Sequence, residues 1–298
     1  MERSLTLVRR LPSPNCPTIG LVLGAGGIRG CAHAGAITVL QENEIPIDLV
    51  VGASVGAIFG LALAAEVPAE RIAWLAREST PLDMFRFYAG RLRVDRRNPI
   101  ARLVHEAADG KTFEDLAMPF AVLGTDMHTG KPHIINRGPV LPAVEASIAL
   151  PFIARPVAIG DRHYLDGGLI DTAPTGVARE LGAERVIAIC LGYNYPAPAF
   201  LRRRPWTRSV LERFGQQRRP IAGRFHDQVQ FGCRLCAAAY NPPLPALDAD
   251  VAIWPDFGGL NPNSIFGARY CHDQGEAATR AVLPQLRTLL MDMERLPA

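Results

Sequence analysis

Two stretches of the chain share one arrangement, in which an apolar strand ends at a glycine-rich turn that leads into an apolar helix. The first strand covers residues 18–23 and is followed by the cluster GAGGIRG at 24–30. The second covers residues 47–51 and is followed by GASVG at 52–56. Strands that alternate with helices predict a mostly parallel sheet whose ligand site lies outside the carboxyl ends of its strands. Both glycine turns are therefore expected beside one site.

The rest of the chain continues this alternation. Apolar runs predict strands at 120–125, 185–191 and 250–254, and turn glycines with alternating residues predict hairpins at 128–138 and 155–165. Apolar spacing predicts helices at 30–44, 55–65, 68–78, 83–108, 140–149, 224–240 and from 264 or later to 296. We therefore expect an α/β fold with a mostly parallel central sheet and helices on both faces. Residues 1–17, which carry three prolines, are expected to be a flexible lead before one domain at 18–298.

The composition indicates a chain with a large buried core. Of the 298 residues, 48% are hydrophobic and 20% are charged, which excludes the disordered, collagen-like and coiled-coil classes. No apolar run reaches the ~18 to 20 residues that span a bilayer. Arg9, Arg10 and Pro12 interrupt the stretch in which a secretory signal would need apolar residues. These features predict a cytoplasmic protein, with contact to a membrane only at its surface.

The cysteines give no sign of a disulfide framework or a metal site. The chain has six cysteines without framework spacing, which fits reduced thiols in a cytosol. Cys233 and Cys236 form the one C-x-x-C pair, but their flanks predict a helix and no second ligand pair follows. Packing on a helix face explains this pair better than metal or redox chemistry. We expect neither a metal nor a cofactor.

Positive charge is concentrated in one segment, residues 201–225. The net charge of +3 is too small to imply a nucleic-acid partner, and we expect none. The segment nevertheless holds one acid, Glu212, against eight arginines, at positions 202, 203, 204, 208, 213, 218, 219 and 224. Aromatic residues lie among them, at positions 200, 206, 214 and 225. This pattern suits lipid headgroups or nucleic acid, and a solvated arginine-rich surface is the simplest alternative.

The motif at 52–56 has the form G-x-S-x-G between an apolar strand and an apolar helix. In that context the central serine, Ser54, occupies a strained turn that exposes its hydroxyl. Gly52 and Gly56 leave room for the tight turn, and the dipole of the following helix points its positive end toward a developing anion. The alternative is a glycine-rich turn in which Ser54 only caps the helix.

The cluster at 24–30 admits three interpretations: a dinucleotide turn, a phosphate cradle or an oxyanion hole built from backbone amides. Gly24, Gly26 and Gly30 give the spacing G-x-G-x-x-x-G, which differs from the dinucleotide fingerprint, although Asp48 keeps that interpretation open. The cluster also lacks the G-K-[ST] of a P-loop. On a strand next to that of Ser54, its amides could bind an oxyanion at the serine's target carbon.

A nucleophilic serine needs a base, and the best candidate is Asp166, which is followed by Gly167 and Gly168 after a predicted strand. The competing carboxylates are Asp126, Asp161 and Asp171. A turn role is the alternative for an aspartate in D-G-G. A Ser-acid-His triad would require His226 or His272, and neither follows a strand in a glycine loop. We expect no catalytic histidine, and we expect His33 to order the glycine loop by hydrogen bonding.

Four blocks in this order resemble the patatin-like phospholipases, which use a Ser–Asp dyad without histidine. The blocks are GAGGIRG at 24–30, GASVG at 52–56, ASIALP at 146–151 and DGG at 166–168. The stretches at 125–138 and 164–174 are similar to the small bacterial members, and the chain is similar to the catalytic domain of neuropathy target esterase. The resemblance spans about residues 18 to 290 and implies a three-layer sandwich.

The resemblance also implies roles for individual residues. Ser54 would be the nucleophile, Asp166 the base, and the amides of Gly26 and Gly27 the oxyanion hole, with Arg29 bracing the loop. The supporting glycines would be Gly24, Gly30, Gly52, Gly56, Gly167 and Gly168. Two positions depart from the pattern: Ala25 stands where many relatives have glycine, and Asp171 to Pro174 stand where relatives often have asparagine before the proline. The second departure bears on how Asp166 is oriented.

These features predict a serine esterase of the lipid acyl hydrolase class that acts on a (lyso)phospholipid or a related ester without a cofactor. The rival hypothesis is a catalytically silent protein of the same fold that binds an anionic membrane or RNA through residues 201–225. The lipid class, the chain-length preference and the oligomeric state have no signal in the sequence.

Overall fold

The computed structural model describes most of the predicted domain. It covers residues 18–80, 82–83, 86, 97–151, 154–192, 247–258 and 267–294. Four features predicted above lie outside these residues: the lead at 1–17, the arginine-rich segment at 201–225, the helix predicted at 224–240 with His226, and the Cys233–Cys236 pair.

The described chain alternates strands and helices as predicted. The strands are β1 Ile19–Leu23, β2 Leu49–Ala53, β3 Phe120–Asp126, β4 Pro132–Ile135, β5 Val157–Ile159, β6 Arg162–Asp166, β7 Arg185–Ile189 and β8 Val251–Ile253. The α-helices are α1 Cys31–Glu42, α2 Val55–Ala64, α3 Ala69–Glu78, α4 Pro99–Ala108, α5 Val140–Ser147, α6 Thr175–Glu180 and α7 Gly267–Glu294. Short 3₁₀ turns cover Gly27–Gly30, Phe113–Asp115 and Gly167–Leu169.

All eight strands belong to one sheet. Hydrogen-bonded pairs connect seven of them in the sequence β5-β6-β3-β2-β1-β7-β8, and β4 also pairs with β3. The run from β3 to β8 is parallel, whereas β4, β5 and β6 add antiparallel pairs at the β3 end. This topology confirms the prediction of an α/β fold with a mostly parallel sheet.

Alternate residues of the strands face two layers of helices. In β1, Leu21 belongs to the large core beneath α1, α2, α3, α4, α5 and α7, and Val22 faces the smaller core beneath α6. Strands that are buried on both faces are apolar throughout, which explains the continuous apolar runs in the sequence. Helices therefore cover both faces of the sheet, as predicted. No helix among the described residues has the length and apolarity needed to cross a bilayer.

The predicted boundaries of the second strand and of the helix over 83–108 differ from the observed ones. The second strand extends to Ala53, so that the first residues of GASVG continue β2. The helix predicted over 83–108 is interrupted, because Asn98 has extended backbone angles and caps α4 by accepting a hydrogen bond from the Ala101 amide at 3.0 Å. Pro99 explains the interruption, since the residue before a proline is disfavoured in the helical conformation.

The carboxyl ends of β2 and β6 meet on the same edge of β3. β4 pairs with β3 residues 122–125, whereas β2 pairs with residues 120–123 and β6 with residues 124–126. Because β4 overlaps with both of the other strands, β2 and β6 must share the opposite edge. β2 is parallel and β6 antiparallel to β3, so the two strands point toward each other, with Ala53 opposite Leu123 and Asp166 opposite Gly124.

Helices α1 and α7 approach each other closely through two glycines. A Cβ atom at Gly275 would overlap the backbone carbonyl of Ala32, and a Cβ atom at Gly35 would overlap the carbonyl of His272. The absence of side chains at these two positions therefore sets the distance between the helices.

We expect Gly275→Ala to lower the free energy of unfolding by about 1–3 kcal/mol, because the added methyl group forces two packed backbones apart. Gly176→Ala is the matched control, since Gly176 also lies in a helix but has no atom within 4 Å of an added Cβ. The control should be neutral or more stable by roughly 0.5–1 kcal/mol. Urea unfolding measures both, and equal stability of the two variants would contradict the close approach.

Candidate active site

Ser54 lies in a strained turn between β2 and α2. Its φ of 53° and ψ of −125° place a non-glycine residue in a region that side chains rarely adopt. The neighbouring glycines are required by contact, because a Cβ atom at Gly56 would overlap the Leu23 carbonyl and one at Gly52 would lie 2.6 Å from the Cα of Ala57. This geometry is that of a nucleophile elbow, in which the hydroxyl is held at the tip of the turn.

The meeting of β2 and β6 places Ser54 beside Asp166. The Ser54 hydroxyl donates a hydrogen bond to Oδ2 of Asp166 at 2.6 Å. The second carboxylate oxygen, Oδ1, accepts a hydrogen bond from the Gly168 amide at 2.7 Å. Only 5% of Ser54 and 1% of Asp166 are exposed to solvent. Each carboxylate oxygen therefore has one donor, and the carboxylate is oriented toward the serine.

Gly167 and Gly168 permit the sharp turn that follows Asp166. A Cβ atom at Gly167 would overlap the Leu123 carbonyl, and one at Gly168 would collide with Ala25 and lie 3.5 Å from the Cβ of Ser54. The turn after Asp166 therefore packs directly against both the serine and the glycine loop at 24–30.

Burial raises the pKa of Asp166 from 3.8 to about 7, although the hydrogen bonds from Ser54 and Gly168 oppose this rise. Desolvation disfavours a charged carboxylate, and those two hydrogen bonds favour it. A carboxylate with a pKa near neutrality can take a proton and release it again at physiological pH. Asp166 therefore has the properties of a general base.

The glycine loop at 24–30 is fixed at its start. The Gly24 amide donates to the Ile189 carbonyl at 3.1 Å, and the Ala25 amide donates to the Thr172 carbonyl at 2.9 Å. The next two amides, of Gly26 and Gly27, make no hydrogen bond to any residue that the structure describes. Gly27 opens a 3₁₀ turn with a φ of 58°, and the first amides of such a turn have no partner within it. These two amides are therefore available to bind an anion.

Three further groups hold the loop. Arg29 is almost fully buried, donates to the Gly192 carbonyl at 2.7 Å and stacks over the ring of Phe257 at 5.1 Å. A Cβ atom at Gly30 would overlap the side chain of Val55, so the end of the loop packs on the first residue of α2. His33 forms the predicted hydrogen bond, between its Nε2 and the Gly24 carbonyl at 2.8 Å. Burial lowers the pKa of His33 to about 4, so the imidazole is neutral at pH 7.

The three competing carboxylates do not contact Ser54. Asp126 accepts hydrogen bonds from the amides of His128 and Thr129 and pairs with Arg162 at 2.8 Å. Asp161 is exposed, and Asp171 accepts from the Ala173 amide at 3.0 Å. Of these carboxylates, Asp166 is the one that contacts Ser54.

His33 lies at this site, but it binds the Gly24 carbonyl and not the serine or the carboxylate. His272 is buried in α7, where its Nδ1 lies 3.2 Å from a carboxylate oxygen of Asp273. Neither Ser54 nor Asp166 is hydrogen-bonded to a histidine that the structure describes. The same described ranges hold no cluster of three or more histidine, cysteine, aspartate or glutamate side chains arranged to bind a metal ion.

Two hydroxyl groups at the site were missed by reasoning from the sequence. Ser147 accepts a hydrogen bond from the Ser54 amide at 3.0 Å, and Thr125 donates one to the Asp166 carbonyl at 2.8 Å. The block ASIALP at 146–151 was a signal for Ser147, but it indicated no chemistry by itself. Thr125 lies inside an apolar strand, where nothing in the sequence pattern marks its hydroxyl.

We expect Asp166→Asn to stabilise the protein at pH 8. The pKa of Asp166 is raised in the folded chain, so its contribution to stability is present below about pH 4 and is lost as pH rises through about 7. The asparagine side chain can still accept a hydrogen bond from the Gly168 amide and can donate one to the Ser54 hydroxyl. The substitution also removes a buried charge. The gain should be on the order of 2 kcal/mol at pH 8 and near zero at pH 4.

Urea unfolding at the two pH values measures this difference. Asp161→Asn is the control, because Asp161 is exposed and this substitution removes no buried charge. A gain for Asp166→Asn that is the same at pH 4 and pH 8 would show that titration of Asp166 is not its cause.

Comparison with known proteins identifies the family of the chain. A family model described as patatin-like phospholipase matches residues 21–179, which is more than half of the chain. An uncharacterized NTE family protein of Mycobacterium tuberculosis is 32% identical over 196 residues, which are 64% of this chain and 53% of that protein. The human patatin-like phospholipase domain-containing protein 6 is 35% identical over 186 residues, which are 59% of this chain and 13% of that protein.

Among solved structures, VipD from Legionella pneumophila matches with a TM-score of 0.49 and 14% identity, covering 97% of this chain and 71% of VipD. The chain spans about half the length of the mycobacterial relative and a smaller share of the human one. The family match includes the elbow serine, the glycine loop and Asp166. The chain therefore belongs to the patatin-like phospholipase family.

Proposed function

We propose that the protein is a serine esterase of the lipid acyl hydrolase class, which cleaves carboxylic esters of (lyso)phospholipids or related lipids. The observation that carries this proposal is the 2.6 Å hydrogen bond from a strained, buried Ser54 to Asp166. Family membership supports it, since relatives bear the names patatin-like phospholipase and neuropathy target esterase. The reaction proceeds through an acyl-enzyme on Ser54.

In the first half of the reaction, Ser54 Oγ attacks the ester carbonyl carbon and its proton passes to Oδ2 of Asp166. The carbonyl oxygen becomes an oxyanion, which the Gly26 and Gly27 amides stabilise by hydrogen bonding. The intermediate then collapses, the bond to the leaving alkoxide breaks, and Asp166 returns the proton to the departing alcohol. An acyl group remains on Ser54.

In the second half, a water molecule attacks the acyl carbon and gives its proton to Asp166. The bond between Ser54 Oγ and the acyl carbon breaks, the serine recovers the proton, and the carboxylic acid leaves. Asp166 thus acts as base and acid twice in each cycle, which a pKa of about 7 favours. No step requires a histidine.

A fluorophosphonate probe tests the assignment of the nucleophile. We expect the wild type to be labelled and to release fatty acid from at least one member of a lipid panel followed by mass spectrometry. Ser54→Ala should lose both, whereas His272→Ala should stay within a few-fold of wild type because the dyad assigns histidine no proton transfer. Labelling that persists in Ser54→Ala would exclude Ser54 as the nucleophile, and loss of turnover in His272→Ala would indicate a triad.

The oxyanion hole is tested by Gly27→Ala. The alanine is strained at a φ of 58° and redirects the amide, so we expect a folded protein whose kcat falls by ~10² to 10³. Gly110→Ala is the matched control, because Gly110 has a φ of 73° on an exposed turn with no atom within 4 Å of an added Cβ. It should be destabilised similarly and keep its kcat. Equal kcat in the two variants would exclude Gly27 from the hole.

A further inference from the structure

The block at 146–151 has no chemistry of its own in the reaction described above. It covers the end of α5 and the residues that follow it, and it passes the point where β2 and β6 meet. Ser147, the last residue of α5, is fully buried and lies next to the Ser54 backbone. The block therefore lies beside the residues of the proposed dyad.

The block is hydrogen-bonded to the backbone of both dyad residues. The Ser147 hydroxyl accepts from the Ser54 amide at 3.0 Å and donates to the Leu123 carbonyl of β3 at 2.7 Å. Two residues further on, the Ala149 carbonyl accepts from the Asp166 amide at 3.0 Å. Residues 147–149 therefore join the end of β2, the end of β6 and the centre of β3.

The sheet does not provide this connection directly. β2 and β6 meet end to end, so no ladder of hydrogen bonds runs between them, and β3 is the strand with which both of them pair. A non-glycine residue at positive φ persists only where its surroundings hold it, and the Ser54 amide is held by Ser147. Without that hydroxyl, the buried amide has no acceptor and the turn is free to relax.

We infer that residues 147–149 set the separation between the Ser54 hydroxyl and the Asp166 carboxylate, and that Ser147 is a positioning residue for the esterase reaction. Only the effect of Ser147 on turnover rests on the proposed function. The holding of the elbow is a property of the fold and can be measured without turnover.

The test compares Ser147→Ala with Ser79→Ala. Ser79 is also a buried serine at the end of a helix, but its hydroxyl donates only to the Leu75 carbonyl of its own helix. With a soluble short-chain ester, Ser147→Ala should lower kcat by about 10- to 100-fold and leave KM within about twofold, because the nucleophile and base are misplaced. Ser79→Ala should keep its kcat at equal folded fraction.

Two further measurements respond to the position of Ser54 and not to the overall stability of the protein. The pH profile of Ser147→Ala should move to higher pH. The hydrogen bond from Ser54 is weaker in this variant, so it lowers the pKa of Asp166 less than in wild type. Hydrogen exchange of the Ser54 amide, followed by NMR, should be faster than in wild type by at least about tenfold. Ser79→Ala should change neither measurement.

The outcomes separate the two proposals. If Ser147→Ala and Ser79→Ala match in kcat, pH profile and amide exchange, the block is only structural and the inference is overturned. If the wild type shows no Ser54-dependent turnover on any ester, the proposed function fails, and amide exchange alone decides whether Ser147 holds the elbow. If Ser147→Ala does not fold, Ser147→Cys replaces it, since a thiol fills the space that alanine leaves empty but is only a weak acceptor. The same changes in kcat, pH profile and amide exchange are then expected.

Discussion

The structure depends on one constraint, which is that β2 and β6 enter the same edge of β3 from opposite directions. A parallel strand and an antiparallel strand can share an edge only if both stop where they meet, and here they stop at Ala53 and Asp166. The chain must turn away sharply after each strand, and the glycines at 56, 167 and 168 are needed because carbonyl groups and side chains crowd those turns. The residues at this junction are Ser54, which directly follows Ala53, and Asp166, so the strand topology itself places the proposed nucleophile beside its proposed base.

Much of this arrangement could be predicted from the sequence. The apolar runs predicted all five strands of the parallel part of the sheet, and the spacing of glycine and serine at 52–56 indicated the elbow. These signals are local, because each one depends on residues that are neighbours in the chain. The contact between Ser54 and Asp166 joins residues 112 positions apart. The residue pattern ranked Asp166 first among four candidate bases, and the resemblance to a family then favoured it over the other three.

The features that escaped prediction have a common physical reason. Ser147 and Thr125 act through hydroxyl groups on backbone atoms of distant residues, and a serine at the end of a helix or a threonine in a strand is ordinary in any sequence. Asn98 lies inside the apolar spacing that predicted one helix over 83–108, but its backbone is extended and α4 begins only at Pro99, since the restriction that Pro99 imposes outweighed periodicity. Long-range hydrogen bonds and local backbone sterics therefore determine the features that the sequence patterns did not predict.

The close contact between α1 and α7 has a consequence for how the protein folds during synthesis. Helix α1 directly follows the glycine loop, yet the surface that covers it comes from residues 267–294, near the opposite end of the sequence. While the ribosome is still translating the middle of the chain, the part of α1 that packs against α7 is uncovered, and exposed apolar surface makes a chain prone to aggregate. Contacts between segments that are distant in the sequence, such as α1 and α7, form slowly. Chaperone protection is therefore most valuable before α7 has left the ribosome.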